Sequence, residues 1–152
     1  MDFSIRSARL DDIPAMHAIR QSVTENPLSD PRRVTEDSYR PFVEDGAACV
    51  AVVDGAIAGF AALDTQASWV WALFVAPAAE GRGLGRALLD AIVGAADARG
   101  LRRLRLSTAP RTRAELFYAH AGWVRDGFTE TGEALFTLDR QSPSACAPPA
   151  KG

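Results

Sequence analysis

The chain has 152 residues, 47% of them hydrophobic and 24% charged, with a net charge of −2. That is the size and composition of one ordinary globular domain, which at this length buries roughly 70% of its unfolded surface and needs no disulfide or metal staple. The near-neutral charge argues against a general nucleic-acid or membrane-surface binder, two cysteines are too few for a disulfide framework, and no run of about 18 apolar residues offers a membrane span. Met1-Asp2-Phe3-Ser4 does not begin a secretory signal, so the expected compartment is the cytoplasm. Lys151 is the only lysine, and basic clusters are read against that arginine-rich background.

Residues 3–6 alternate and predict a first strand. Asp11 or Asp12 is positioned to cap a helix with Pro14 in its first turn and Ile13, Met16, Ile19 and Val23 near helical spacing. Asn26-Pro27 and Asp30-Pro31 break the chain, and a second helix is expected from Thr35-Glu36-Asp37 through Tyr39, Phe42 and Val43. Ala48–Val53 and residues 57–63 predict a hairpin around the two-residue turn Asp54-Gly55. Trp69–Val75 predicts a fourth strand, closed by Pro77. Leu84, Leu88, Ile92 and Ala96 form one stripe of a helix that reaches Arg99 and stops at Gly100. Leu104 and Leu106 alternate with Arg103 and Arg105 on a fifth strand. Thr112 and Glu115 have capping-box spacing for a helix running towards Gly122, and residues 123–129 and 134–138 are the last two strands. Residues 141–152, rich in Pro, Ala and Ser, read as a disordered tail, leaving residues 1–140 as the domain. The order β-α-α-β-β-β-α-β-α-β-β predicts an α/β (α+β) fold, with a mixed, largely antiparallel central sheet flanked by about four helices rather than a doubly wound parallel one.

The strongest chemical signal follows the fourth strand, where Gly81-x-Gly83-x-Gly85 opens a helix. Glycines let the backbone turn tightly and present successive N–H groups, and the helix start adds about half a positive charge, so the turn suits a phosphate-bearing ligand. A P-loop is excluded, since no lysine and hydroxyl residue follow the glycines. A dinucleotide fingerprint fails too: Arg86 holds its last glycine position, and the next strand ends in Ser107-Thr108 rather than an acid. A glycine-rich connection without a ligand has the same local pattern.

Two segments resolve the choice further. Leu73-Phe74-Val75-Ala76-Pro77-Ala78-Ala79-Glu80-Gly81-Arg82-Gly83-Leu84-Gly85-Arg86-Ala87-Leu88-Leu89 resembles the acetyl-CoA loop of the GNAT family of N-acetyltransferases. Ala114-Glu115-Leu116-Phe117-Tyr118-Ala119-His120-Ala121-Gly122-Trp123 resembles that family's Phe-Tyr-x3-Gly-aromatic segment, and the likeness spans residues 3–138. It implies acetyl-CoA as co-substrate, no metal, and direct acetyl transfer to an amine. Main-chain groups of Leu73, Phe74 and Val75 would pair with the pantetheine arm, and amides of Gly81, Arg82, Gly83, Leu84, Gly85 and Arg86 would hold the diphosphate. Phe117 would supply apolar cofactor contact, and Tyr118 would be the general acid for the leaving thiolate. Two positions depart from the family pattern Arg/Gln-x-x-Gly-x-Gly/Ala and its sequel. Glu80 holds the Arg/Gln position and is expected to point away or pair with Arg82 or Arg86, and Arg111 stands where many members carry a cofactor-contacting asparagine.

The attacking amine must lose a proton, since a lysine-like amine has a pKa of about 10.4. Many relatives use a glutamate on the fourth strand, but Trp69–Val75 has no carboxylate, which leaves Asp64, Glu25 and His17 as candidates, while a water chain or an acceptor of low pKa would also serve. Trp69 and Trp71 face one side of their strand, either as core packing or, with Asp64, as the acceptor site, which Tyr39 and Phe128 would help to close. Arg102, Arg103, Arg105, Arg111 and Arg113 read as a solvated face, one or two of them available to the 3′-phosphate of coenzyme A. Neither Cys49, inside a strand, nor Cys146, in the tail, is placed to carry an acetyl group. The expected partner is a small-molecule or peptide amine, with no nucleic acid or membrane, and the open edge of the C-terminal hairpin would suit a homodimer. The competing readings are a non-catalytic acyl-CoA-binding or sensing module and, without support from interleaved aromatics, an RNA-binding domain.

Overall fold

In the computed structural model, which describes residues 3–23 and 34–139, the chain runs β1 (Ser4–Ser7), α1 (Ile13–Ser22), α2 (Arg40–Glu44), β2 (Ala48–Val53), β3 (Ala56–Asp64), β4 (Trp69–Val75), α3 (Leu84–Ala98), β5 (Arg103–Thr108), α4 (Arg113–His120), β6 (Val124–Phe128) and β7 (Ala134–Asp139). Glu25, the breaks at Asn26-Pro27 and Asp30-Pro31, Cys146 and the tail at 141–152 lie outside the described residues. The seven strands form one sheet in the order β1-β2-β3-β4-β5-β7-β6. Only β4 and β5 run parallel, so the expected mixed, largely antiparallel sheet is what forms. Asp54 (φ 51°) and Gly55 (φ 80°) both take left-handed backbone, the turn that matches the twist of the β2–β3 hairpin.

Both faces of the sheet are covered. Cys49 and Ala51 of β2 and Ala61 and Leu63 of β3 pack with Leu84, Leu88, Leu89, Ile92 and Ala96, so α3 lies on one face. Their strand neighbours Ala48, Val50, Phe60 and Ala62 pack with Met16, Ile19 and Tyr39, so α1 and the α2 region lie on the other. This explains why β2 and β3 read as continuous apolar runs rather than clean alternation. Cys49 is buried in that layer, and burial pushes its thiol up to about 11.

Three local expectations are corrected. Asp12 does stand before α1, but its own backbone is already helical (φ −82°, ψ −15°) and its carboxylate does not cap that helix. It instead accepts the Arg9 N–H (2.8 Å) and two guanidinium bonds from Arg6 (2.8 and 3.1 Å), closing the 3-10 turn Leu10–Asp12 ahead of the helix. The expected second helix is a 3-10 turn, Glu36–Tyr39, leading into the five residues of α2. Thr112 is the N-cap of α4, yet the capping box does not form. Its hydroxyl donates back to the Ala109 carbonyl (2.8 Å), while the Glu115 carboxylate accepts the Arg111 N–H and a guanidinium N–H of Arg125. A charged donor from β6 outcompetes the local backbone for that carboxylate.

The Arg6–Asp12 pair ties β1 to the start of α1, and it makes stability depend on pH. The hydrogen bond from Arg6 holds the Asp12 carboxyl below the ordinary carboxylate range, against the opposing effect of burial and with help from the Arg9 N–H. A lowered folded pKa gives stability that is present above the unfolded pKa of about 3.9 and lost as pH falls through the folded value. Asp12→Asn should therefore lower the thermal midpoint at pH 7, and the gap to the parent should close as calorimetric scans move towards pH 3.

Candidate active site

A cavity of about 560 Å³ opens where β4 and β5 part. The two strands pair at a single point, Trp69 with Arg105, where the Arg105 N–H also donates to the Ser68 carbonyl (3.0 Å). Beyond it, Val70 to Val75 of β4 and Leu106 to Thr108 of β5 line opposite walls of the gap. Each strand keeps its outer partner, β3 for β4 and β7 for β5, so the facing main-chain edges have no strand between them.

A bulge adjusts the β4 wall. Ala62 of β3 pairs with Ala72, but Leu63 pairs with Val70, so Trp71 is an extra residue in β4. Trp71 and Ala72 in consequence both face the α1 side, whereas Val70, Leu73 and Val75 face α3. Trp71 stacks on Phe42 (4.5 Å between centroids) and meets Tyr39 edge-on (5.3 Å) while also lining the cavity. Trp71 therefore packs in the core and lines the cavity at the same time. Trp69 lines the same cavity.

The glycine turn forms another wall. Gly81 (φ 81°) and Gly83 (φ 86°) adopt the left-handed conformation that other residues rarely enter, and Gly83 is the N-cap of α3. The first main-chain bond of the helix runs from the Ala87 N–H to the Gly83 carbonyl (3.1 Å), and no side chain caps the helix. The amides of Leu84, Gly85 and Arg86 precede that bond and are left for an external acceptor, while Gly81, Gly83, Leu84, Gly85 and Arg86 all line the cavity. These open amides beside a strand-wide gap fit a diphosphate with an extended arm. Arg82 is exposed and is absent from the lining.

Tyr118 and Phe117 close the inner end. The Tyr118 ring sits among Phe117 (5.1 Å), Phe136 (5.9 Å) and Trp123 (6.0 Å). Its side chain is buried, and burial drives its phenol well above the usual value of 10.0. No protein group hydrogen-bonds its hydroxyl among the described residues.

Charged groups in the lining are Arg20, Glu80, Arg86, Arg113 and Glu133. Glu80 pairs with Arg113 of α4 (3.1 Å), not with Arg82 or Arg86, because the start of α4 faces the turn across the mouth of the cavity. Arg86 pairs with Asp90 on its own helix (3.1 Å). Glu133, just before β7, accepts a hydrogen bond from the Ser107 hydroxyl of β5 (2.7 Å).

Other expected residues fall elsewhere. Asp64 accepts the N–H groups of Gln66 and Ala67 (both 3.1 Å), fixing the β3–β4 turn, and does not line the cavity. His17 hydrogen-bonds the Tyr39 hydroxyl (3.0 Å), and Tyr39 is fully buried beneath Trp71 rather than lining the pocket. Phe128 is an exposed residue of β6 under the Arg125 guanidinium (4.4 Å), which removes it from the acceptor site. Arg111 is exposed with left-handed backbone (φ 58°), the conformation that asparagine tolerates best among non-glycine residues, and it does not reach the cavity. Sequence reasoning missed Arg20, Ser107 and Glu133, which come from three distant elements and carry no local motif.

Residues 13–123 match the family model described as "Acetyltransferase (GNAT) family". Solved structures share the fold. An N-acetyltransferase from Staphylococcus aureus Mu50 is 20% identical with a TM-score of 0.77, the match covering 91% of this chain and 99% of that one. The PaiA N-acetyltransferase of Thermoplasma acidophilum, solved in complex with coenzyme A, is 14% identical with a TM-score of 0.79 over 91% of this chain and 99% of its own. YncA, a putative acetyltransferase from Salmonella typhimurium solved with acetyl-CoA, is 21% identical with a TM-score of 0.77 over the full length of both chains.

A Cβ added to Gly83 would meet nothing within 4 Å, so its substitution costs only backbone strain. Gly83→Ala should destabilise the fold by roughly 1–2 kcal/mol, the penalty of forcing alanine into the left-handed region, as read by urea unfolding.

Proposed function

The chain belongs to the GNAT family of acetyltransferases, and from that premise we propose that it moves an acetyl group from acetyl-CoA directly to an amine in a ternary complex. The observation that carries this reading is the convergence, on one cavity, of the open amides at 84–86, the unpaired strand edge of β4 and the buried phenol of Tyr118. Amides of the glycine turn hold the diphosphate, and the free edge at Leu73, Phe74 and Val75 takes the pantetheine arm as a pseudo-strand. A main-chain N–H on that edge stabilises the charge that develops on the thioester oxygen, a contribution of about 3–4 kcal/mol for one such donor.

Attack by the neutral amine forms the N–C bond and breaks the C–S bond. The amine then sheds one proton and the leaving thiolate gains one. Tyr118 suits the second transfer: its phenol, raised by burial, stays protonated through neutral and mildly alkaline pH, and its hydroxyl has no competing protein partner among the described residues. Its acidity is poor against a free thiol of pKa about 8.5, but a thiolate leaving into the apolar setting of Phe117 is itself raised by desolvation. For the first transfer we propose Glu133, the carboxylate that lines the cavity and is oriented by Ser107.

A non-catalytic acyl-CoA-binding module draws its support from the absence of a carboxylate on β4. Glu133 in the cavity wall weighs against it. The RNA-binding reading is weakened by the ion pairs that occupy Arg103 with Asp139 and Arg113 with Glu80.

Steady-state acetylation over an amine panel tests the proposal. Tyr118→Phe should lower kcat by roughly 100-fold or more while coenzyme A binding, followed by calorimetry, stays unchanged. Binding without turnover in the parent protein, with Tyr118→Phe altering nothing, would favour the sensing module instead. Glu133→Gln should lower kcat/KM by about 10- to 100-fold while coenzyme A binding stays unchanged, and full activity in that variant would exclude Glu133 as the base.

A further inference from the structure

Arg20 projects from α1 into the cavity, and its Nη1 is buried without a hydrogen-bond partner. Among the described residues no carboxylate pairs with it, whereas the other charged side chains of the lining all have polar partners. Its guanidinium lies over the rings of Phe74 (4.9 Å) and Trp71 (5.2 Å), which hold it in place by cation–π attraction but accept no hydrogen bonds. Desolvation disfavours its charge, opposed by Tyr39. A half-buried cation with a buried, unmet donor nitrogen is costly to a fold, and substituting it is usually easy, so its presence calls for a ligand.

The diphosphate is not that ligand. Arg20 packs against Trp71 and Phe74, which face the α1 side of the sheet, whereas the turn at 81–86 leads into α3 on the opposite side. The strand β4, where the thioester arm is proposed to lie, stands between them. The Arg20 end of the cavity is therefore the side from which an acceptor approaches. A planar, five-donor guanidinium matches a carboxylate in bidentate fashion and repels a second cation. Glu133 supplies the opposite charge within the same cavity, as a partner for an ammonium group.

We propose that Arg20 binds a carboxylate carried by the acceptor, and that the acceptor is an amino acid or a similarly small amine bearing a carboxylate. This rests on the acetyltransferase reading above and narrows it, setting aside polyamines. The amine enters near Glu133 while the carboxylate docks on the Arg20 guanidinium above Trp71.

The test uses matched acceptors: amino acids against their carboxamides, ω-amino acids against alkylamines of equal length, and short peptides whose amine and carboxylate are far apart. The full chain should prefer each acid over its neutral partner by at least tenfold in kcat/KM, with free amino acids above peptides. Arg20→Met should raise KM for the acids by about 10- to 100-fold, more than it lowers kcat, and bring the acid-to-amide ratio close to one. Arg20→Lys should recover only part of the preference. Coenzyme A affinity by calorimetry and the thermal midpoint should not fall in Arg20→Met, which separates lost recognition from lost folding. Equal turnover of acids and amides, or a preference that survives Arg20→Met, overturns the carboxylate site and leaves the acetyltransferase reading intact. If no amine is acetylated, calorimetric binding of the acids to protein saturated with coenzyme A decides: binding that Arg20→Met abolishes keeps the site and removes the transferase reading, and no binding of any acid overturns the site as well.

Discussion

β4 and β5 are neighbours that share one paired position, Trp69 with Arg105. Every other feature of the cavity depends on that early parting. A parallel pair continued to Val75 would fill its own edge with ladder bonds, and no room would remain for an extended ligand arm. Buried main-chain donors and acceptors are costly when unpaired, so the gap is tolerable only because it is open to the solvent and lined by a helix start on one side and α4 on the other. The wedge is held apart by ordinary packing: Leu84 under the turn, Tyr118 and Phe117 at the inner end.

The same strand carries the bulge at Trp71, which breaks its alternation. Leu73 and Val75 stay on the α3 side, and Trp71 with Phe74 turns to the α1 side, where Arg20 rests on both rings. One extra residue thus gives β4 a face for each end of the cavity. Close approach of α3 to the sheet is set a strand away, at Gly59, where an added Cβ would come within 3.0 Å of both the Leu88 side chain and the Phe74 carbonyl. The register of β3 against β4 and the seating of α3 are therefore fixed together at that crossing.

What the sequence discloses is governed by range. The Asp54-Gly55 hairpin, the bounds of β4 and the glycine turn before α3 are written in consecutive residues, and they are read correctly. The capping of α1 and α4 is misread because charged groups from elsewhere, Arg6 and Arg125, claim the carboxylates that local spacing assigns to the helix starts. The bulge leaves no signature, since tryptophan, alanine and leucine suit either register. Arg20, Ser107 and Glu133 meet in one cavity from α1, β5 and the approach to β7, and nothing short of the assembled sheet brings them together. Glu80 has the right neighbourhood but the wrong partner for a similar reason: its ion pair crosses to α4, 33 residues away in the chain.

Cys49 sits between β1 and β3, paired opposite Ser7 on one side and Ala61 on the other, with its sulfur turned into the α3 layer. Because the thiolate, not the thiol, is the reactive form, a group whose burial raises it to about 11 is nearly inert while the strands stay zipped. Alkylation of that sulfur can proceed only through excursions that separate β2 from its neighbours. The rate of such labelling is a clock for how often the middle of the sheet comes apart, built in without any added probe.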